Sequence, residues 1–338
     1  MTINHQKVQL VCKKSFKKCI VEKVREITDA GMVNPIFEVT ISNPSKSLVL
    51  KTYPEKWGHY KPDKEKFIFE LIKSKTNLPV PKIYTLDKSK KILPKTYLLM
   101  SKMEGIMPKK IKISNEEKKG LYFQLGQDLA KLHKIKFSEF GWIYKDKISR
   151  YELKYAKPFE TWKAFFLSKY QEVKDELKNA EDKKYGRLNK TSFEKMLPEI
   201  DKYIEKNVYL LDTKIEPVFI HNDFSLTNVL VTKNKHWEIS AIFDVEMSMT
   251  GHNEFELSNM NFLYNKKTLF KLNEQEKAFF EGYQSIKKLS KDFKERQRLY
   301  FLYGLISCAS FDGFELQAST IQRMNQYYKH IKETLQNG

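Results

Sequence analysis

The chain has 338 residues, 41% hydrophobic and 30% charged, with a formal net charge of +19. That length suits two domains or lobes, and this balance describes a globular chain rather than a disordered one. Three cysteines, Cys12, Cys19 and Cys308, form no C-x-x-C and are too scattered for a disulfide framework, which points to a reducing compartment and a cytoplasmic location. The first residues lack the apolar run of a signal peptide, and the greasiest stretch, Leu299 to Phe311, is too short to span a bilayer. Residues 1–120 carry 26 Lys and Arg against 12 Asp and Glu, whereas 212–260 carry eight acids against three lysines. The lysines are sprinkled rather than striped, so the basic part reads as a solvated surface, with no nucleic-acid or membrane partner expected.

In chain order, Ile36–Ser42 and Ser47–Tyr53 are β-rich runs separated by Asn43-Pro44-Ser45-Lys46, a hairpin signal. Helical spacing over Lys61–Thr76 puts Phe67, Leu71 and Ile72 on one side, and Leu78-Pro79-Val80-Pro81 stops it. Thr96–Met103 reads as a further strand. From Ile111 the pattern turns helical. Ser114 and Glu117 form a capping box ahead of Leu121, Leu125, Leu129 and Leu132. Further helices are expected over about 158–180, 192–206, 273–287 and 292–310. One β-like island, Pro217–Glu246, interrupts them as PVFI, NVLVT and WEISAIFD. The expectation is an α+β, two-lobed protein: a small β-rich lobe over 1–103 and a larger, mostly helical lobe over 104–338 with a hairpin inside it.

The island holds His221-Asn222-Asp223-Phe224-Ser225-Leu226-Thr227-Asn228, an H-x-D-x-x-x-x-N pattern in a loop after an apolar strand. Ile242-Phe243-Asp244 ends the returning strand, and a hairpin would bring Asp244 beside Asn228. One carboxylate is then free for a hydroxyl proton, and an amide with a second carboxylate can hold a hard cation. Phosphoryl transfer to an alcohol needs such parts. The plain alternative is an Asx-rich turn in which Asp223 and Asn228 only cap backbone groups.

With these residues in view, the chain resembles the aminoglycoside phosphotransferase and choline-kinase-like small-molecule kinases from about residue 20 to residue 310. The resemblance implies a bilobal protein-kinase-like fold. It makes Lys51, in Leu48-Val49-Leu50-Lys51, the lysine on the nucleotide's α- and β-phosphates, held by Glu65, with Glu70 as the rival position. It makes Asp29-Ala30-Gly31-Met32-Val33-Asn34 the nucleotide-covering loop, with Gly31 and Asn34 at the phosphates. It makes Tyr97–Gly105 the linker between lobes, where Ser101 and Met103 present backbone groups to adenine and Met100 lines the pocket. Asp223 becomes the catalytic base, and Asn228 and Asp244 the ligands of Mg²⁺. Leu125-Gly126 through Leu132-His133 matches a family helix, with His133 structural and His221 orienting the loop.

There are departures. Asn222 stands where glycine is common, Val245-Glu246 replaces Trp-Glu, and Glu256 stands where the family has Asp, which leaves its loop-stabilising role in question. No G-x-x-x-x-G-K-[ST] occurs. Asp244 lacks the Phe-Gly that follows it in protein kinases, which favours small acceptors. The implied function is an ATP-dependent (or GTP-dependent), Mg²⁺-requiring kinase of a small-molecule hydroxyl. An aminoglycoside-type antibiotic is favoured, with Glu246, Glu254, Glu256, Asp312 and Glu315 available as acidic walls for a cationic acceptor. A kinase of a cellular metabolite or of another antibiotic class stays open. So does a nucleotide-binding pseudokinase or scaffold. An RNA- or membrane-surface binder using Lys13–Lys18 and Lys109–Lys119 has no motif behind it.

Overall fold

The computed structural model describes residues 3–28, 35–56, 58–179, 184, 185, 188–260, 263, 271–312 and 318–336. The chain divides into two compact units, one built from residues 1–117, 143–155 and 226–247, the other from 118–142, 156–225 and 248–338.

In the first unit α1 (His5–Lys13) precedes β1 (Ile20–Glu26), β2 (Ile36–Ser42) and β3 (Lys46–Tyr53). Then come α2 (Lys61–Lys75), β4 (Ile83–Asp87) and β5 (Thr96–Ser101). The strands form an antiparallel sheet in the order β1-β2-β3-β5-β4. β2 alternates between buried and half-buried positions, so Phe37, Val39 and Ile41 face one layer with Leu48 and Leu50 of β3. That period of two is what the sequence showed, because one face of a sheet must be buried. The α1 helix was not expected. Asn4 caps it, its side chain accepting from the Lys7 N–H at 3.2 Å, and Val8, Val11 and Cys12 complete the layer under the sheet. Fully burying such aliphatic side chains is worth about 1.5–3 kcal/mol each. Thr76 ends α2, its hydroxyl donating to the Ile72 carbonyl at 2.7 Å, just before the two prolines.

The hairpin of Val229–Lys233 and Trp237–Ile242 also belongs to this unit. Ile106 bridges Val231 through two backbone hydrogen bonds, and the Ile242 N–H donates to the Pro79 carbonyl at 2.8 Å. Gly105 makes the approach possible. Its φ is +126°, and a Cβ there would lie 2.4 Å from Ser240 Oγ.

In the second unit, PVFI does not pair with the hairpin. The strand Val218–Ile220 pairs with Met249–Gly251, which in turn pairs with Gly141 and Trp142. Helices surround this strip. The capping box is present at the end of the first unit's first segment, the Ser114 hydroxyl accepting from the Glu117 N–H and the Glu117 carboxylate from the Ser114 N–H, and it opens α3 (Asn115–Leu132), most of which belongs to the second unit. The α3 backbone meets that of the helix Glu274–Gln284 at two glycines. A Cβ on Gly126 would fall 2.0 Å from the Phe279 carbonyl oxygen, and one on Gly282 would fall 2.0 Å from that of Phe123. Trp162, Phe165, Phe166, Phe255 and Tyr300 fill the interior with edge-to-face and tilted contacts. The expected helix over 192–206 is two pieces, Lys190–Glu194 and Leu197–Asn207, with Pro198 in the first turn of the second. The C-terminal helix Ala318–Gln336 was not foreseen. No described helix is long and apolar enough to cross a membrane.

Candidate active site

Lys51 lies on β3 opposite Leu98 of β5. Strand alternation puts Tyr53 on the same face. The Lys51 Nζ donates to Glu65 Oε2 at 2.7 Å, and the Tyr53 hydroxyl donates to the same oxygen at 2.6 Å. The Lys51 and Glu65 side chains are only 12% and 5% exposed. Burial works to lower the Lys51 pKa, but Glu65, with more distant help from Glu246 and Asp244, carries it above the ordinary lysine value. Burial, then the Glu65 charge, holds the Tyr53 phenol well above its usual range. The rival Glu70 lies on the exposed face of α2 and takes Lys66 at 2.8 Å.

Val229 pairs with Ile242, and the Phe243 N–H donates to the Asn228 carbonyl at 3.1 Å. The hairpin therefore brings Asn228 and the segment leading to Asp244 to one end of the same ribbon. Asp244 has φ +62°, a left-handed conformation that Asp and Asn tolerate better than most residues. Two residues on, Glu246 accepts from the Lys61 ammonium at 3.2 Å, with side-chain exposures of 23% and 12%. Lys61 opens the helix that carries Glu65, so the ion pair ties that helix to the Asp244 segment.

Met100 is buried in β5 against Val49 and Ile83, and Ser101 ends the strand, its N–H donating to the Lys82 carbonyl at 2.8 Å. Met103 follows, half-buried, with its sulfur 3.8 Å from the Ser101 hydroxyl. Gly31 and Asn34 lie outside the described residues.

In the second unit, His221, Asn222 and Asp223 follow the strand Val218–Ile220. Glu256 organises them. Its Oε2 accepts from the His221 N–H at 3.0 Å and its Oε1 from the Asn222 N–H at 2.8 Å. Oε2 also accepts from His133 Nε2 at 2.9 Å. The longer arm of Glu thus keeps the loop-stabilising role that the departure from Asp had left in question. His133 is fully buried, and its Nδ1 takes the Tyr283 hydroxyl proton at 2.8 Å, while that hydroxyl accepts from Asn253 Nδ2 at 2.9 Å. Donor counting makes His133 a neutral Nε2–H imidazole, and burial lowers its pKa in agreement. Asn222 turns the chain with φ +66°. His221, fully buried, sits edge-on to Phe224 at 5.3 Å. A hollow of about 20 Å³ opens beside Asp223, lined also by Asn222, Glu256 and Asn259, and has room for a single water.

Three of the five acids that the sequence offered to a cationic acceptor have partners within the protein. Glu246 holds Lys61 and Glu256 holds the loop. Glu254 takes the Arg296 Nε at 2.7 Å in a pair only 3–4% exposed. Burial works to raise the Glu254 carboxyl, but Arg296 brings it below the usual range. The side chains of Asp312 and Glu315 lie outside the described residues. These pairings have no local signature, because the partners are distant in the chain. Tyr53, by contrast, stood two residues from Lys51 and could have been read from strand alternation.

The fold is that of the small-molecule kinases. A candidate aminoglycoside phosphotransferase from Ralstonia eutropha is similar over 99% of both chains, with TM-score 0.68 at 13% identity. A candidate fructosamine-3-kinase from Haemophilus somnus is similar over 96% of both, with TM-score 0.60 at 14% identity. A spectinomycin phosphotransferase, solved in complex with ADP and spectinomycin, is similar over 98% of this chain and 95% of its own, with TM-score 0.54 at 16% identity. Comparison with curated protein sequences finds no match. The family model for fructosamine kinase matches residues 4–330. The chain belongs to the fructosamine kinase family and is a small-molecule kinase with the α+β architecture of the protein-kinase-like fold.

Proposed function

We propose that the chain uses ATP and Mg²⁺ to phosphorylate a hydroxyl of a fructosamine, a sugar joined to an amine. The observation that carries the acceptor class is the internal use of Glu246, Glu254 and Glu256. A polycationic aminoglycoside needs several unspent carboxylates around it, whereas a fructosamine presents mainly hydroxyls. The match of the family model supports the same choice.

Lys51, steadied by Glu65 and Tyr53, binds the nucleotide's phosphates. Its ammonium is held charged by that carboxylate, so it neutralises phosphate charge rather than acting as a base. Asn228 and Asp244 supply hard oxygen donors suited to Mg²⁺, an ion that takes one or two carboxylates and completes its shell with phosphate and water. When bound, the ion would offset charge on the transferring phosphoryl group. Asp223 accepts a hydrogen bond from the acceptor hydroxyl and takes its proton as transfer proceeds. Glu256 and His133 keep the Asp223 loop fixed, so alignment costs little at the moment of reaction.

The test is direct. The purified chain, given Mg·ATP and a panel containing a fructosamine, an aminoglycoside and simple sugars, should release ADP with the fructosamine. Asp223→Ala should bind nucleotide as before and lose transfer by at least a hundredfold. Undiminished transfer by that variant would overturn the base assignment. Turnover of the aminoglycoside alone would overturn the acceptor.

A further inference from the structure

Large apolar side chains are exposed together on one loop of the first unit. On the segment 143–155, Tyr151 is 39%, Leu153 53% and Tyr155 57% exposed. A single exposed apolar residue is ordinary on a protein surface, but a cluster of them marks a place where something docks. The loop is also held in shape. The Ser149 hydroxyl, buried, donates to the Lys154 carbonyl at 2.8 Å and accepts from the Tyr151 N–H at 3.3 Å. At the base of the segment the Tyr144 ring stacks on Tyr60, the residue that precedes α2, with ring centres 6.0 Å apart and planes 17° from parallel. Side chains displayed on an ordered loop lose less freedom when a partner arrives.

Lysines lie over these rings. The Lys154 ammonium is 5.0 Å from the centre of the Tyr151 ring, Lys147 is 5.7 Å from that of Tyr155, and Lys145 is 5.4 Å from that of Tyr144. Among the described residues no carboxylate pairs with any of the three. The segment contains only two acids, Asp146 and Glu152. Glu152 is half-buried, and its charge, after burial, raises the Tyr60 phenol, so it is directed toward the body of the unit. Asp146 is left as the one exposed acid of the segment. The loop therefore presents apolar surface and positive charge side by side.

We infer that this loop docks on an anionic lipid surface, with Tyr151, Leu153 and Tyr155 entering the headgroup layer and Lys147 and Lys154 meeting lipid phosphates. Each residue type suits that boundary. Tyrosine has an apolar ring and a polar tip, and is favoured where one end is dry and the other wet. A lysine stem lies along apolar surface while its ammonium reaches outward, and the negative potential of anionic lipids attracts it. A single-stranded nucleic acid is the other polyanion that aromatic and basic residues can hold, by stacking bases on open ring faces. Here one face of each ring already carries a lysine, and Leu153, between them, offers no face on which a base stacks. Lipid headgroups accommodate all three apolar side chains. The contact lies on the membrane and does not span it, and it is independent of the proposed reaction.

The experiment is co-sedimentation of the full chain with phosphatidylcholine vesicles, with and without phosphatidylglycerol, at low salt. The unaltered protein should bind the anionic vesicles at least tenfold more tightly than the neutral ones. Tyr151→Ser/Leu153→Ser/Tyr155→Ser and Lys147→Gln/Lys154→Gln should each weaken that binding by about fivefold or more. Two controls, Leu10→Ser/Ile20→Ser and Lys17→Gln/Lys18→Gln, remove exposed side chains elsewhere and should weaken it less than twofold. Equal losses in loop and control variants would show attraction to the overall positive charge alone and overturn the site. Leu153→Trp should tighten binding by about twofold, because tryptophan favours the lipid interface. A damaged fold cannot produce that gain, and a loss of binding in this variant would overturn the inference. A single-stranded DNA oligonucleotide is titrated in parallel. Were the triple serine variant to lose oligonucleotide binding and keep vesicle binding, the loop would be a nucleic-acid surface and the inference would fall.

Discussion

Glu256→Gln should destabilise the second unit by about 3–5 kcal/mol, and the figure follows from counting donors. Three N–H groups converge on the carboxylate: the His133 Nε2 and His221 backbone donors on Oε2, and the Asn222 backbone donor on Oε1. An amide has one acceptor oxygen. In its better orientation that oxygen serves the first two, and the NH₂ group then faces the Asn222 N–H. Leaving one buried donor unsatisfied costs about 1–3 kcal/mol, and the two remaining bonds each lose roughly 1 kcal/mol as the acceptor becomes neutral. Flipping the His133 tautomer does not help, because the His221 backbone donor cannot reverse. Glu256→Asp should cost less, since a shortened carboxylate still accepts every donor it reaches. Urea unfolding followed by tryptophan fluorescence measures both. A Glu256→Gln midpoint within 1 kcal/mol of the unaltered protein, at unchanged slope, would refute the assignment of Glu256 as the anchor of the Asp223 loop.

Gly126→Ala should cost several kcal/mol or prevent folding, because the new methyl group lands on the Phe279 carbonyl rather than on a movable side chain; normal thermal stability would show that the two helices can separate freely. A double-mutant cycle on Lys61→Met and Glu246→Gln should return a coupling of about 0.5–2 kcal/mol in unfolding experiments, given how little of either side chain is exposed, and zero coupling would remove the tie between α2 and the Asp244 segment. Stability should fall as pH drops below about 6.5. Burial pushes the His252 imidazole down to about 3 and also lowers His133. Both folded values lie below the unfolded value, so the unfolded chain gains protons first and folding is progressively disfavoured. At pH 5 the His252 share is about 2 kcal/mol. A urea midpoint unchanged between pH 7 and 5, or an identical profile in His252→Gln, would contradict this.

Local pattern carried much of the fold. Phe37, Val39 and Ile41 alternate because one sheet face is buried, and Ser114 with Glu117 announces a helix by capping chemistry that needs no tertiary partner. What was missed depended on distant contacts. His5–Lys13 has only Val8, Leu10, Val11 and Cys12 as apolar residues among polar ones, and that helix is held by the sheet it covers. PVFI announced a strand but not its partner, Met249–Gly251, which lies beyond the whole hairpin. The same division runs through the site. The hairpin joining Asn228 to Asp244 was readable from two β runs and a turn. The fate of the acidic residues was not, because Glu246 meets Lys61 across 185 positions and Glu254 meets Arg296 across 42. Charge near a motif in sequence says little about whether that charge is spent.

The left-handed backbone at Asp244 bears on how such a chain could change its trade. Glycine and asparagine settle into that conformation more comfortably than aspartate does. Replacing Asp244 with glycine would therefore relax the main chain at the step that discards the proposed metal ligand. On the backbone's account alone, before the carboxylate's own contacts are counted, descent from working enzyme to silent binding protein runs downhill.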